Sequence, residues 1–183
     1  IGDNKSYSFL PTKYNNTLSD RAATSAFKNL NLKYKTYSFL ERGSDERQYN
    51  SPGIDLPIAS LMRTKYGEYK EYHTSLDNLS FVSEEGLLGG YNLVKETINI
   101  LMINRIPKIM VKCEPQLGKR GLYSQISTKK EDRRRRNLMN FITYADGTND
   151  LIQISIIIGV NFNICHEICS LLEQHNLVKS ERK

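Results

Sequence analysis

The sequence predicts a mixed α/β domain over residues 1–128 and a winged helix-turn-helix module over residues 129–183. Strand and helix signals alternate through the first part, which favours helices layered on a partly parallel sheet. The last part carries three helical apolar stripes and one short strand signal. The hydrophilic run KKEDRRRR (129–136) lies where the pattern changes, and we interpret it as a linker leading into a helix.

Three segments of the first part have the features of strands. SYSFL (Ser6–Leu10) is short and is ended by Pro11. KYKTYSF (Lys33–Phe39) alternates with a period of two residues. LPIASLMR (Leu56–Arg63) is a more continuous apolar run, as expected for a strand that is covered on both faces.

Two helices are predicted beside these strands. Thr17 or Ser19 can cap the first helix, and Asp20 complements the helix dipole in its first turn. Ser83 begins a second, longer helix with glutamates in its first turn. Its apolar side chains follow at helical spacing: Leu87, Leu88, Tyr91, Val94, Ile98, Leu101 and Met102. Three glycines lie near its start: Gly86, Gly89 and Gly90. They either weaken this start, by about 1 kcal/mol each relative to alanine, or allow close packing.

The terminal module is predicted from three apolar stripes, one for each short helix. Asn149 or Asp150 can cap the second helix, which ends at Gly159. Asn176–Lys179 is expected to start a small strand. The stripes consist of Leu138, Phe141 and Ile142; of Leu151, Ile154 and Ile158; and of Ile164, Cys165, Ile168, Cys169, Leu171 and Leu172.

Composition limits the class of protein. Apolar residues make up 39% and charged residues 25% of the 183 residues, which predicts a packed core and excludes wholesale disorder. No run approaches the roughly 18 apolar residues that span a bilayer. Three cysteines are an odd, sparse set, typical of reduced thiols in a cytoplasmic protein. The chain opens with Ile1 in what resembles an interior sequence, so we expect an upstream part of the same protein.

Two polar loops follow predicted strands and are candidates for a functional site. In open α/β sheets, ligands bind outside the strand ends, so the two loops could meet at one edge of the sheet. The second loop contains EYHTSLDN, with His73 four residues before Asp77. The first loop, ERGSDERQYNSPGIDLP (41–57), carries three adjacent charged side chains: Asp45, Glu46 and Arg47.

The spacing alone leaves two interpretations open for each residue. The His73 imidazole is a common zinc ligand, and Asp77 could orient its ring, while Tyr72 could donate a hydrogen bond to an oxyanion. Alternatively, His73 is an ordinary polar loop residue and Asp77 a helix N-cap. The charged side chains of the first loop could equally form a solvated ion-pair cluster.

The two loops together resemble the C-terminal half of the zinc aminopeptidase superfamily with co-catalytic metals. The residues that carry the resemblance are Ser44-Asp45, then Gly53-Ile54-Asp55-Leu56-Pro57, then Tyr72-His73-Thr74 and Asp77. More specifically, RGSDERQYNSPGIDLPIASLMRTKYGEYKEYHTSLDNL (42–79) together with CEPQLGKRGLY (113–123) is similar to a bacterial family of aminopeptidase-like proteins. That family is encountered among polysaccharide-biosynthesis proteins and has a C-terminal winged helix. The resemblance covers essentially the whole chain and implies a partial aminopeptidase-like, three-layer (phosphorylase/hydrolase-like) α/β fold.

The resemblance also implies roles for individual residues. His73 would be a metal ligand, and Tyr72 would donate a hydrogen bond in the transition state. Asp45 and Asp77 would be supporting or structural carboxylates. Asp3 lies near where related peptidases place a ligand carboxylate, but the local pattern departs from theirs.

Other charged residues are candidates for the border of a substrate cleft. They are Glu46 and Arg47 in the first loop, with Glu114, Lys119 and Arg120 in CEPQLGKRGLY. The alternative for the last three is a surface loop, punctuated by proline and glycine, that supports the sheet.

The resemblance places an earlier histidine, a metal-bridging aspartate and a glutamate base upstream of Ile1. Catalytic zinc generally takes three protein ligands plus water, and this chain offers one good candidate. We therefore expect one or two zinc ions only in the complete protein, acting on N-terminal amino-acyl or related amide bonds. The alternative is a catalytically silent scaffold or regulator that uses its terminal module to bind protein or nucleic acid.

The terminal module invites a DNA-binding interpretation because Arg133–Arg136 precede it. The predicted exposed face of its third helix disfavours that interpretation, because two glutamates and no lysine or arginine would face phosphates. That face consists of Asn163, His166, Glu167, Ser170, Glu173 and Gln174. Docking or homo-oligomerisation is the favoured role.

A second zinc site in this module is the alternative explanation for its cysteines and histidines. Cys165 and Cys169 lie on one helical face, which is also the apolar stripe, and His166 points away from it. Buried cysteine acting as a small apolar residue is the better explanation.

Overall fold

The computed structural model describes residues 2–122 and 129–182. The chain divides into two compact units, Ile1–Met102 and Ile103–Lys183. This division lies upstream of the boundary predicted at 128/129. The reason is that the strand Ile106–Ile109 pairs with Val178–Glu181 and therefore belongs to the second unit.

The first unit contains a mixed sheet of three strands in the order β2-β1-β3. Its central strand runs parallel to β2, with Ser8 opposite Lys35, and antiparallel to β3, with Ser8 opposite Met62. The predicted mixed α/β class with a partly parallel sheet is confirmed. The elements are β1 (Ser8–Leu10), α1 (Leu18–Asn29), β2 (Lys35–Thr36), α2 (Glu46–Tyr49), β3 (Ser60–Met62) and α3 (Glu84–Ile103).

All three strands of the first unit are shorter than predicted, β1 by two residues at its start. β2 is followed by a 3₁₀ turn, Phe39–Glu41, because the Ser38 hydroxyl accepts a hydrogen bond from Leu40 N–H and caps it. β3 is an edge strand with intermediate burial. The expectation of a strand covered on both faces was wrong, since Leu56 and Ile58 before it are 49% and 37% exposed.

Helix α1 begins as predicted. Thr17 is its N-cap, and the Asp20 carboxylate accepts hydrogen bonds from the backbone and hydroxyl of both Thr12 and Thr17. The helix buries Phe27, which stacks on Tyr34 with ring centroids 3.9 Å apart. This contact fixes α1 against the chain that leads into β2.

Helix α3 starts after Ser83, whose hydroxyl accepts a hydrogen bond from Gly86 N–H. Gly86 lies directly against the chain at Gly2 and Asp3, and a Cβ at this position would be 1.9 Å from Gly2 O. A Cβ on Gly89 would be 2.5 Å from the Tyr7 hydroxyl. For these two glycines, close packing is therefore the correct explanation.

The second unit consists of three helices and a two-stranded antiparallel sheet. α4 includes the hydrophilic run that was interpreted as a linker, because lysine, glutamate and arginine are good helix formers. Asp150 caps α5 by accepting from Gln153 N–H, and Gly159 (φ +73°) follows α5 in the turn before α6. The elements are β4 (Ile106–Ile109), α4 (Lys129–Tyr144), α5 (Leu151–Ile157), α6 (Phe162–Gln174) and β5 (Val178–Glu181).

Cys165 and Cys169 lie in the core of the second unit, both 0% exposed. Burial raises the pKa of both thiols, which keeps them protonated. The Cys165 thiol donates to Leu151 O. Both cysteines thus act as small core residues, as the apolar stripe predicted.

Among the described residues, no single helix has the length and apolar character to cross a membrane. Helices α5 and α6 reach such a length and apolar composition only together, and they are bent by 115° relative to each other.

Candidate functional site

The two polar loops of the first unit meet through one carboxylate. Glu46 is 2% exposed, and its Oε1 accepts hydrogen bonds from the Tyr66 hydroxyl at 2.8 Å and from Gly43 N–H at 2.8 Å. Ser44 N–H also donates to Oε1 at 3.0 Å, and the Ser60 hydroxyl donates to Oε2 at 3.2 Å. Glu46 therefore joins the first loop, the second loop and β3.

The ionisation of this pair follows from its contacts. Burial by itself would raise the pKa of Glu46, but hydrogen bonds from Ser44, Tyr66 and Gly43 outweigh it and lower the pKa. Burial and the neighbouring Glu46 carboxylate raise the pKa of Tyr66 to about 12. At neutral pH the pair is thus a carboxylate that accepts from a protonated phenol.

A cluster of aromatic rings packs beneath the surface of the second loop and contacts the His73 ring through Tyr72. Tyr72 is half-buried and contacts Tyr69, with ring centroids 5.6 Å apart, and Tyr66 at 6.3 Å. Tyr69 in turn stacks on Phe81 at 5.2 Å. This aromatic cluster holds a loop that has no strand or helix of its own.

His73 is presented at the surface of this cluster. It is exposed, its backbone is left-handed (φ +58°), and its ring stacks on Tyr72 at 4.0 Å with an interplanar angle of 20°. A non-glycine residue in this conformation costs of the order of 1 kcal/mol, and the turn around it, with Thr74 N–H donating to Glu71 O, holds it there. Within the described residues, no hydrogen bond links the His73 ring to Asp77 or to any other side chain.

The remaining predicted residues are separate from the Tyr72–His73 pair. Asp45 and Arg47 are exposed at the start of α2, and Asp77 is exposed in the second loop. The Asp45 side chain does not cap α2. The Glu46 side chain is buried and hydrogen-bonded inside the first unit, so it does not line the border of a cleft. Lys119 and Arg120 are exposed in the 3₁₀ turn Leu117–Arg120 of the second unit, and Glu114 is exposed before this turn. Tyr123 of the same motif lies outside the described residues.

Asp3 is a structural carboxylate. It is 1% exposed and accepts hydrogen bonds from Thr64 N–H, the Thr64 hydroxyl and Lys5 N–H. Burial would raise its pKa, but the Thr64 and Lys5 hydrogen bonds lower it. The Arg63 side chain donates to Asp3 O at 2.9 Å and lies over the Tyr7 ring. Asp3 is thus committed to holding the start of the chain.

A complete zinc site is not formed by these side chains. In residues 2–122 and 129–182, no three histidine, cysteine, aspartate or glutamate side chains are grouped so that they could hold a metal ion. His73 alone supplies one of the three protein ligands that catalytic zinc takes. The described residues therefore do not fit a catalytic zinc ion by themselves.

Sequence reasoning missed Tyr66 as a member of this site. It lies in KYGEYKEY (65–72), where three tyrosines have similar neighbours, and no local signal distinguishes the one that reaches Glu46. Only the pairing of the two loops identifies it.

A family model described as a domain of unknown function, DUF4910, matches residues 1–104, more than half of the 183-residue chain. The chain belongs to the DUF4910 family. A model of a winged helix-turn-helix matches residues 105–180. It begins immediately after the DUF4910 match and includes β4 and all but the last residue of β5.

This DUF4910 chain is similar to a protein of Clostridium acetobutylicum that is provisionally named a polysaccharide biosynthesis protein with an aminopeptidase-like domain. The two are 34% identical over 98% of this chain, which spans 42% of the length of that relative. A crystal structure of a provisionally assigned peptidase from Clostridium acetobutylicum matches 99% of the chain with a TM-score of 0.86 and 32% identity. The chain covers 40% of that structure. The resemblance to polysaccharide-biosynthesis-associated aminopeptidase-like proteins, and the winged-helix module, are thereby confirmed.

Proposed function

We propose that this DUF4910 chain is the C-terminal part of a metal-dependent aminopeptidase-like hydrolase that acts on N-terminal amino-acyl or related amide bonds. The observation that carries the proposal is the outward presentation of His73. An exposed imidazole, held in a left-handed turn by stacking on Tyr72, suits a residue that binds something outside its own fold. The similar protein with an aminopeptidase-like domain supports the same class of activity.

In this proposal the chain supplies one edge of the site. His73 would provide one ligand to zinc, as one or two ions, and the hydroxyl of Tyr72 would donate a hydrogen bond to the carbonyl oxygen of the substrate. The Glu46–Tyr66 hydrogen bond keeps the loop in place. The other ligands and the general base belong to the upstream part of the same polypeptide, in a cytoplasmic protein. Because the described residues do not complete a zinc site, we assign no catalytic step through the metal to this chain.

Replacing His73 with alanine in the full-length protein is expected to remove at least one zinc ion per polypeptide and to reduce hydrolysis of amino-acyl p-nitroanilides at least 100-fold. Zinc is measured by inductively coupled plasma mass spectrometry, and activity by release of p-nitroaniline. The matched control is His175→Ala, which changes a histidine of the second unit and should leave both quantities as they are. Unchanged zinc content in the His73 variant would contradict the ligand role.

A scaffold or regulator that binds its partner through the second unit is the second candidate. The concentration of positive charge in that unit favours this role. The first unit has twelve basic and twelve acidic residues, whereas the second has fourteen basic and eight acidic residues. The whole net charge of +6 therefore belongs to the winged-helix unit. Arg133–Arg136 are exposed along α4.

The surface of the helix-turn-helix itself is apolar and acidic rather than basic. Ile156, Ile157 and Ile164 are 54%, 47% and 38% exposed at the turn between α5 and α6, and Glu167 is exposed on α6. Apolar surface of this kind suits protein docking or a homo-oligomer better than a DNA groove.

The second unit is accordingly expected to bind duplex DNA only through α4, weakly and without sequence preference. Changing Arg133–Arg136 to glutamine should abolish this binding, because phosphate contacts supply nearly all of it. Fluorescence anisotropy of labelled duplexes at two salt concentrations measures the effect. The control changes four exposed cations of the first unit to glutamine: Lys33, Arg42, Lys70 and Lys95. A sequence-specific, salt-resistant complex would contradict the expectation.

A further inference from the structure

Helix α3 has a second apolar stripe that no described residue of the first unit covers. Its buried side chains within the first unit are Leu93 and Ile100, each 1% exposed. On another face, five large apolar side chains follow at intervals of four, three, four and three residues. They are Leu87, Tyr91, Val94, Ile98 and Leu101, with exposed fractions of 51%, 60%, 44%, 49% and 38%.

Most polar side chains of the same helix lie on one side of it. The exposed residues of this polar arc are Glu84, Glu85, Asn92, Lys95 and Asn99. A surface helix normally has one apolar stripe and a broad polar face, whereas a helix that is apolar on most sides is typically buried. α3 has the pattern of a helix enclosed between two layers.

The stripe continues into a groove at the N-terminal end of α3. This groove has a volume of about 470 Å³ and is lined by Leu79, Val82, Leu87, Leu88 and Tyr91, among others. Leu79 is 91% exposed. Contiguous apolar surface of this extent is uncommon on a complete monomeric protein and marks an interaction site.

We propose that the stripe is covered by another part of the same, longer polypeptide. That part corresponds to the remaining three fifths of the two long relatives. The chain spans about two fifths of the length of each relative, and 99% of the chain matches the crystal structure. A protein of that length supplies a covering layer without a second copy. This inference relies on one element of the proposed function, namely that the chain is part of such a longer polypeptide.

The decisive experiment places the photo-crosslinking residue p-benzoylphenylalanine at Tyr91 of the natural full-length polypeptide. Crosslinks mapped by mass spectrometry are expected within the same polypeptide, to peptides outside residues 1–183. The control places the same group at Asn92, on the polar arc, where such crosslinks should be absent. Crosslinks between two copies, crosslinks only to peptides within residues 1–183, or no crosslink at Tyr91 would overturn the proposal.

A pair of substitutions gives an independent readout. Ile98→Glu should lower the melting temperature of the full-length protein by several degrees, whereas Asn99→Glu should leave it within about one degree. Equal effects of the two substitutions would count against a covered stripe. The zinc measurement on His73→Ala separates this proposal from the proposed function, because crosslinking at Tyr91 does not depend on metal or activity.

Discussion

Replacing Gly86 with alanine is expected to lower the free energy of unfolding of the first unit by about 4 kcal/mol. The added Cβ would be 1.9 Å from Gly2 O, 2.5 Å from Gly2 C and 2.7 Å from Asp3 O. These are backbone atoms, so the clash is relieved only if the start of α3 moves away from the chain that Asp3 anchors. In a helix without such a neighbour, glycine to alanine is instead stabilising by about 1 kcal/mol.

The opposite signs of these two effects make the test decisive. Hydrogen exchange followed by mass spectrometry resolves the first unit from the second and reports the stability of the amides in α3. Asn92→Ala, on the exposed arc of the same helix, is the matched control and should be stabilising by a few tenths of a kcal/mol. A stability gain in Gly86→Ala would show that α3 does not approach Gly2.

Replacing Glu46 with alanine is expected to cost about 3 kcal/mol of unfolding free energy, because it leaves three kinds of donor without their acceptor. These are the Tyr66 hydroxyl, the Ser60 hydroxyl and the Ser44 N–H group, whereas Gly43 N–H also donates to the Tyr66 hydroxyl oxygen and keeps that partner. Glu46→Gln retains one oxygen and should cost no more than about half as much. Chemical denaturation monitored by hydrogen exchange measures both variants.

Glu46→Gln also has a local readout. Without the carboxylate, the pKa of Tyr66 should fall from about 12 toward its ordinary value of 10. The difference between the ultraviolet titrations of this variant with and without Tyr66→Phe isolates the one phenol. An unchanged Tyr66 pKa would contradict the hydrogen bond that joins the two loops.

The stability of the first unit should also decrease in acid. The pKa of Glu46 is lowered in the folded protein, and so is that of Asp3. Each carboxylate therefore stabilises the fold fully above its unfolded pKa, near 4 to 4.5, and this contribution is lost as pH falls through the lower folded value. Glu46→Gln should reduce the acid sensitivity between pH 5 and 3.

Local chemistry was enough to predict the elements whose ends are fixed by neighbouring residues. Thr17 and Asp20 define the start of α1, Ser83 that of α3, and Asp150 that of α5. In each case a side-chain oxygen accepts a hydrogen bond from a backbone N–H three residues away, so the signal lies within one turn of sequence.

The strands and the unit boundary depend on partners far along the chain. β4 pairs with β5, at the far end of the same unit, and β3 pairs with β1, near the start of the chain. The candidate site follows the same logic. His73 was predictable as the histidine of a polar loop. The hydrogen bond between Tyr66 and Glu46 requires two loops to meet, and the spacing of residues along the sequence does not predict this contact.

The antiparallel pairing of β4 with β5 has a consequence for folding kinetics. Ile106 lies opposite Glu181, so the first and last strands of the winged-helix unit pair across almost its whole length. The loop that this pairing closes is long, and the entropy of closing it is lost before the strand contacts compensate. During synthesis, α4, α5 and α6 emerge from the ribosome before β5 and can dock early, whereas the sheet has to wait. A premature stop at Asn176 would release a chain whose β4 edge is unpaired and free to add strands from other molecules.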